Sequence, residues 1–582
     1  MNAALDTLFA GLNTALRNHI QPHDGLFDTL ENSPSPSDHY GHVCAALALA
    51  CGEEDDWNIG RQALEAWLRL DASRLGHLPF NRLALLLLRT VLGTRGLAGS
   101  DETLIDAGLR RCTLRRSYPS NNWSLLAQTC RLIEAPAAHK ATESRRLCDL
   151  LQRWTTPKGC FIDFPKNPGT RFSTPLAYHH KALFLTALSC WYHDDTELTL
   201  HAQRLLDWLV HCWDPAGYAG GFGRSSHSLF GDGSLIAGLI LIGIKDDDEN
   251  QPIAALSHRL AHQRRDDGFL WLNPAGLESG AASWDSYMHL SVYNAWAAAA
   301  IGAAMHLRRT QIAPTSCSAT KWVAARSGLF HDEAAGLLYL RNDEGLNALI
   351  STRGQPPQSY SSQEADFRYG GASIIHLRIG TGPARVPPPV RVTRNALAKT
   401  PALAGWTPLL AADDEILALD EFETIAIDLD NRCLSIRLEG SAKFVFRPHP
   451  SGVTQRILAA LDWRLLGGRL GRNAALHRNT PKHILARICL EITSERGGVT
   501  ISRKVEIRSS KKITYLNPQG YSLIVPTHSA APLLSNAATA FNLSASLTGG
   551  RAISLFSSDI RSADYVSQSE LHISAPSSNE QA

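Results

Sequence analysis

Through the first half of the chain, apolar residues return at intervals of three and four, which predicts one helix after another. The clearest segments are 40–51 (YGHVCAALALAC), 61–70, 124–134, 181–192, 198–212, 235–244 and 292–306. Many of their residues are Ala and Leu, both strong helix formers. Between these segments a glycine recurs near an aromatic residue, in Asp24-Gly25-Leu26-Phe27, Lys158-Gly159-Cys160-Phe161, Ala219-Gly220-Gly221-Phe222 and Asp267-Gly268-Phe269. The spacing is one helix pair or a multiple of it, which points to stacked helical hairpins. Closed into a ring, such hairpins form an α/α toroid whose glycine-aromatic loops line one mouth.

The pattern changes after about Ala313. Segments 336–341, 373–379, 416–427, 433–438, 443–447, 499–507 and 512–516 are short, often alternate apolar with polar, and favour Val, Ile, Thr and aromatics. Gly, Pro, Asn and Asp punctuate them, as expected of antiparallel β-sandwich structure. The expected organisation is an (α/α) toroid over 1–312, an antiparallel β-sandwich over 313–573 and a polar, disordered tail over 574–582. Helices first and strands second make this a multidomain α-then-β chain, not an alternating α/β fold.

Composition narrows the function classes. A length of 582 residues suits two large units, and 44% hydrophobic with 19% charged residues is ordinary for a globular core. A formal net charge of +2 does not suit a dedicated nucleic-acid binder. The chain starts MNAALDTLFAGLNTALRNHI, a poor secretory signal, and no apolar run reaches the ~18 residues of a membrane span. Eleven scattered cysteines without a CxxC pair indicate neither a disulfide framework nor a zinc site. A cytoplasmic setting is expected, or a periplasmic or secreted one if a leader has been trimmed. No metal and no cofactor is required.

Candidate chemistry gathers in two stretches. Asn121-Asn122-Trp123 opens one helical segment, and 157–181 (PKGCFIDFPKNPGTRFSTPLAYHHK) leads into another through Tyr178, His179 and His180. Amide, imidazole and phenol are together able to bind an acidic sugar and move a proton on it. The plainer alternatives are a helix N-cap for Asn122 and a core histidine for His179. His180 falls in register with Leu176, Phe184 and Ala187, on the packed side. Trp123, Trp284 and Tyr287 are candidates for stacking on sugar rings, or else they anchor packing.

A helical toroid followed by a β-sandwich resembles the heparinase II/III-like and alginate-lyase-like polysaccharide lyases. Asn121-Asn122-Trp123-Ser124 resembles their asparagine-bearing helix start, and Pro175-Leu176-Ala177-Tyr178-His179 their helix with an aromatic and a histidine. Gly223-Arg224-Ser225, with His227 and Gly231-Asp232 behind it, resembles a third loop of the same superfamily. The chain departs from the pattern in 364–376 (EADFRYGGASIIH), where only a terminal histidine stands near the place of a His-x-His. The resemblance implies β-elimination at a uronic acid. In that reading Asn122 and Arg224 neutralise the carboxylate, His179 or Tyr178 takes the proton, and Tyr178 protonates the leaving oxygen. Trp123, Asp163, His227, Asp232, Trp284 and Tyr287 would then contact an acidic polysaccharide or oligosaccharide, with no nucleic-acid or membrane partner.

Two rival classes remain. A glycoside hydrolase on the same toroid would use paired carboxylates drawn from Asp163, Asp232, Glu278 and Asp285. A non-catalytic glycan-binding protein would bind saccharide and release no product.

Overall fold

The computed structural model describes residues 3–574 except 97–98, 119, 164–174, 224–227, 245–250, 275–287, 311–313, 315–321, 323–326, 355–363, 388–391, 413–414, 420, 431–432, 447–452, 467–483, 496–497, 510–512, 518–524, 527–552, 556–558 and 561–564. The chain divides into two compact units. The first is Met1–Gly276 with Gly280–Arg326, and the second is Leu277–Ser279 with Ser327–Ala582.

Among the described residues, twelve α-helices build the first unit: α1 Ala3–Asn18, α2 Gly41–Ala50, α3 Asp56–Arg69, α4 Leu78–Thr94, α5 Gly99–Arg111, α6 Asn121–Glu134, α7 Ala137–Trp154, α8 Leu176–Tyr192, α9 Thr196–His211, α10 Leu229–Ile242, α11 Pro252–Ala261 and α12 Leu290–Thr310. The even-numbered helices pack in the order α2, α4, α6, α8, α10, α12 and back to α2, which closes an inner ring. The odd-numbered helices lie outside it, α7 against α6 and α9, α11 against α10 and α1. This is an α/α toroid.

The sequence explains which helix goes where. Every residue of α2 and of α10 is buried, and α8 is buried from Leu176 to Trp191. A helix apolar all round must lie inside. The outer helices bury one stripe only, as in α7 with Ser144, Leu147, Cys148, Leu151 and Trp154. Close helix contact in the ring needs small residues. A Cβ on Gly233 of α10 would lie 2.6 Å from the Ala297 Cβ of α12, so any larger residue there would force the two helices apart.

After α1, α7, α9 and α11 the chain makes the same tight antiparallel turn before the next inner helix. These turns pair Ile20–Gln21 with Gly25–Asp28, Thr155 with Phe161, Trp213–Asp214 with Tyr218–Ala219, and Arg264 with Leu270. Gly25, Gly159, Gly217 and Gly268 each sit at positive φ in them, the conformation that favours glycine. After α9 the glycine between the paired strands is Gly217, and the Gly220-Gly221 pair expected from the sequence follows the second strand, also at positive φ.

The second unit is built of antiparallel sheets. One six-stranded sheet runs Val525–Pro526, Arg385–Val386, Ser373–Arg378, Asn347–Ser351, Leu337–Arg341, Gly328–Asp332. Another runs Glu423–Asp430, Cys433–Ser441, Ile484–Glu495, Gly498–Ser509, Tyr565–Ser574, Ile553–Leu555. Leu338, Ile350 and Leu377 of the first share one core with Leu438, Ile488 and Ile501 of the second. A five-stranded sheet includes Glu415–Ala418, Leu409–Ala412 and Ile513–Tyr515.

The expected single strand over 416–427 is two strands in different sheets, and the helix Val453–Leu465 was not anticipated. No disulfide links the described cysteines. Among the described residues no helix is long and apolar enough to cross a membrane.

Candidate active site

The starts of the inner helices gather at one end of the toroid because the turns bind them there. The Asp28 carboxylate accepts from Ser291 N–H at the start of α12 (2.8 Å), and the Asp163 carboxylate accepts from Asn122 N–H at the start of α6 (2.8 Å). Leu176 N–H donates to Phe222 C=O, and Leu229 N–H to Leu272 C=O, each at 2.9 Å.

A second latch ties three of the four turns to the inner helix that follows. Leu26 N–H donates to His42 Nδ1 of α2 (3.0 Å), Phe161 N–H to His179 Nδ1 of α8 (3.1 Å), and Leu270 N–H to Asn294 Oδ1 of α12 (2.8 Å). The other nitrogen of His42 meets Ser35 C=O (3.1 Å), and that of His179 meets Leu205 C=O (2.9 Å).

His179 is thus one instance of a repeated scaffold position. Its ring is fully buried, tilts against Trp208 at 4.7 Å and faces α9. With Nδ1 accepting from backbone and Nε2 donating to it, neither nitrogen is left to take a proton from a substrate. Burial holds its pKa down at about 3, with the adjacent His180 adding to the effect. His180 also turns to the packed side, where Nε2 meets Ala219 C=O at 3.1 Å.

Asn122 likewise has a different task from the one the sequence suggested. Its amide Nδ2 donates to Asp163 Oδ1 (2.8 Å) and Ser120 Oγ (3.0 Å), and its Oδ1 accepts from Lys181 Nζ (2.7 Å). The helix N-cap is Ser120, and Asn122 is a buried connector with both amide hydrogens already engaged. Asp163 is fully buried at the far end of this connector.

Sequence reasoning missed Lys181. It stands two residues past His179, where α2 carries Cys44 past His42 and α12 carries Trp296 past Asn294. A cation replaces an apolar residue at that step, and Lys181 is fully buried. Its Nζ lies 4.2 Å from the centroid of Phe80 and 5.9 Å from that of Phe230, so ring faces surround the ammonium. Burial lowers its pKa to about 7, against the pull of Asp163 that favours the charged form. The signal was present: in LAYHHKALFLTALSCWY it is the lone fixed charge of α8.

Tyr178 precedes Lys181 by three residues, so the two share a face of α8. Both approach Phe230, Tyr178 edge-on with centroids 6.3 Å apart. Tyr40, just before α2, is near enough to Tyr178 and to Tyr293 of α12 to matter electrostatically. Burial, and then the neighbouring Tyr293, Cys44 and Tyr178, push the Tyr40 phenol well above its ordinary range. Around them Tyr40 stacks on Phe80 (4.5 Å), and Phe230 stacks on Trp296 (5.3 Å).

Trp123, half-buried, lies 4.9 Å from His77 and 5.9 Å from Tyr118, forming an aromatic platform beside the cluster. His77 is stacked on His39 (4.3 Å), and burial followed by the His39 charge holds its pKa at about 4.

The remaining sequence candidates fall in three places. Asp232 is buried at the start of α10 in an ion pair with Arg259 (2.5 Å), and Arg259 also binds Gly217 C=O and Gln263. Burial raises the Asp232 pKa, and Arg259 opposes that. His376, the terminal histidine of 364–376, is buried in the strand Ser373–Arg378 of the second unit. Arg224, His227, Trp284 and Tyr287, with Glu278 and Asp285 of the hydrolase alternative, lie outside the described residues.

No protein-family model and no curated protein matches the chain. Among solved structures it is similar to the GH76A α-1,6-mannanase of Salegentibacter sp. HEL1_6, with 11% identity and a TM-score of 0.37, covering 52% of this chain and 99% of that one. It is also similar to a polysaccharide lyase, with 12% identity and a TM-score of 0.36 over 53% and 99%. A GH76 α-mannanase of Bacteroides thetaiotaomicron gives 9% identity and a TM-score of 0.34 over 52% and 95%. Similarity this remote assigns no residue and no substrate to the present chain.

Proposed function

We propose that the first unit is the catalytic domain of a glycan-cleaving enzyme, and that it acts on a uronate-containing chain by β-elimination. The observation that carries this reading is that Tyr178 and Lys181 share one face of α8 and both lie near Phe230, with Lys181 held by the Asn122–Asp163 connector. An unperturbed phenol of pKa ~10 is about one part in a thousand ionised at neutral pH, a deficit of roughly 4 kcal/mol. In general a cation close to a phenol offsets part of such a deficit, which is the role proposed for Lys181.

In the proposed step the Tyr178 oxygen removes the proton beside the sugar carboxylate. The bond from the neighbouring carbon to the glycosidic oxygen breaks, a carbon–carbon double bond forms, and Tyr178 returns the proton to the departing oxygen. Asn122 positions Lys181 in this scheme, with no amide hydrogen left for the substrate carboxylate. Arg224 remains the proposed partner of that carboxylate, and Trp123 with His77 the proposed sugar platform.

The two described members of the proposed hydrolase set, Asp163 and Asp232, are both engaged internally, which favours elimination over hydrolysis. The similar solved structures include mannanases and a lyase, so product chemistry must separate the two. Acidic and neutral polysaccharides would be incubated with the full chain and with Tyr178→Phe, following both near-ultraviolet absorbance and new reducing ends. Elimination predicts that the two signals rise together and that Tyr178→Phe loses both by orders of magnitude. Reducing ends without absorbance would assign a hydrolase. Saccharide binding with neither signal would assign a binding protein.

A further inference from the structure

Away from the axial site, the outer helices α7 and α9 bring three side chains together. Cys148 of α7 and Glu197 and His201 of α9 place one potential ligand atom each within 4.8 Å of one another. Glu197 and His201 are four residues apart, so they project from the same side of α9. Cys148 and His201 are buried, and Glu197 is exposed, which leaves the cluster a route to solvent.

The backbone that carries these residues is pinned. Asp195 accepts from Ser144 Oγ of α7 (2.5 Å) through one oxygen, and through the other it caps α9 at Glu197 N–H (2.8 Å) and Leu198 N–H (3.4 Å). That contact sets α7 and α9 in register one turn from Cys148. Among the described residues, neither the His201 ring nor the Glu197 carboxylate makes a hydrogen bond.

We propose that Cys148, Glu197 and His201 form a binding site for a divalent transition metal of the zinc class, clamping α7 to α9. A thiolate, an imidazole and a carboxylate are the ligand types zinc accepts. Three protein ligands with a water in the fourth position complete its tetrahedral preference. On binding, the Cys148 thiol gives its proton to solvent as the sulfur–metal bond forms, and the metal sheds waters from its own shell. The cysteine spacing along the chain conceals such a site because its ligands come from two helices.

Cobalt(II) is the probe, titrated into the metal-free full chain, followed by zinc(II) as competitor. The expected result is one cobalt per chain, with a near-ultraviolet thiolate charge-transfer band that zinc abolishes. Cys148→Ser should lose the band and His201→Gln should weaken binding at least tenfold, both keeping the far-ultraviolet circular dichroism of the parent. Zinc should raise the melting temperature of the parent by more than that of either variant. Absence of a stoichiometric thiolate band in the parent would overturn the proposal. So would its persistence in Cys148→Ser, or unchanged affinity in a folded His201→Gln.

Discussion

Replacing Lys181 by methionine separates a functional lysine from a structural one, because the two roles predict opposite signs of stability change. Its pKa falls from 10.5 to about 7 in the folded chain. At about 1.4 kcal/mol per unit, burying the charged amine costs ~5 kcal/mol, of which ~4 is felt at pH 7, where the group is half-protonated. Methionine removes that cost and keeps a flexible apolar stem against Phe80 and Phe230. It also strips Asn122 Oδ1 of its donor, worth ~1–3 kcal/mol for a buried acceptor left unpaired. The balance is a gain of ~1–3 kcal/mol at pH 7, a rise of a few degrees in the melting temperature of the first unit, accompanied by loss of turnover.

The pH dependence supplies an internal check. The folded pKa is depressed, so between pH 7 and 10.5 the unfolded chain holds the proton and the folded chain does not. Stability contributed by this group therefore rises with pH across that window, by ~1.4 kcal/mol per pH unit. Below pH 7 the penalty is fully present. Circular-dichroism melts of the parent and of Lys181→Met, run from pH 7 to 10, should converge as the advantage of the variant disappears. A variant destabilised by more than ~2 kcal/mol at pH 7, or a parallel pH dependence, would refute the accounting and make Lys181 a strut.

Two further outcomes concern the histidines of the first unit. His179→Ala strands Phe161 N–H and Leu205 C=O, so it should lose ~3–5 kcal/mol in denaturant titrations, as His42→Ala should at its own turn, while turnover per folded molecule stays unchanged in both. Loss of turnover by a fully folded His179→Ala alone would restore it to the chemistry. Burial holds His42, His77 and His180 at about 4 and His179 at about 3, all below the ordinary 6.5. The unfolded chain therefore takes up protons first, and stability should fall as pH drops below 6.5. Acid titration should show an unfolding step coupled to uptake of roughly four protons, with His42→Gln removing about one of them.

The toroid was legible in the sequence because two of its inner helices have no polar face: 235–244 and 40–51 read as helix from composition and spacing alone, and every residue of α10 and α2 is buried. The site was half legible. Asn122 bonds Lys181, one helical turn from Tyr178, while His179, one of the two residues offered as base, has both ring nitrogens engaged with backbone. Periodicity along one helix reports which face a residue occupies and is silent about what meets that face. His179 meets a turn nearly twenty residues upstream and a carbonyl on α9, partners fixed by closure of the ring. The repeat itself carried the missing clue. His42 and Asn294 hold the same kind of latch at other turns, so a polar residue there reports architecture. A residue that departs from its counterparts is the better marker of chemistry, and at the next inward step Cys44 and Trp296 are matched by a lysine. By that criterion Lys181, with its ammonium against the rings of Phe80 and Phe230, is the position at which to test for activity.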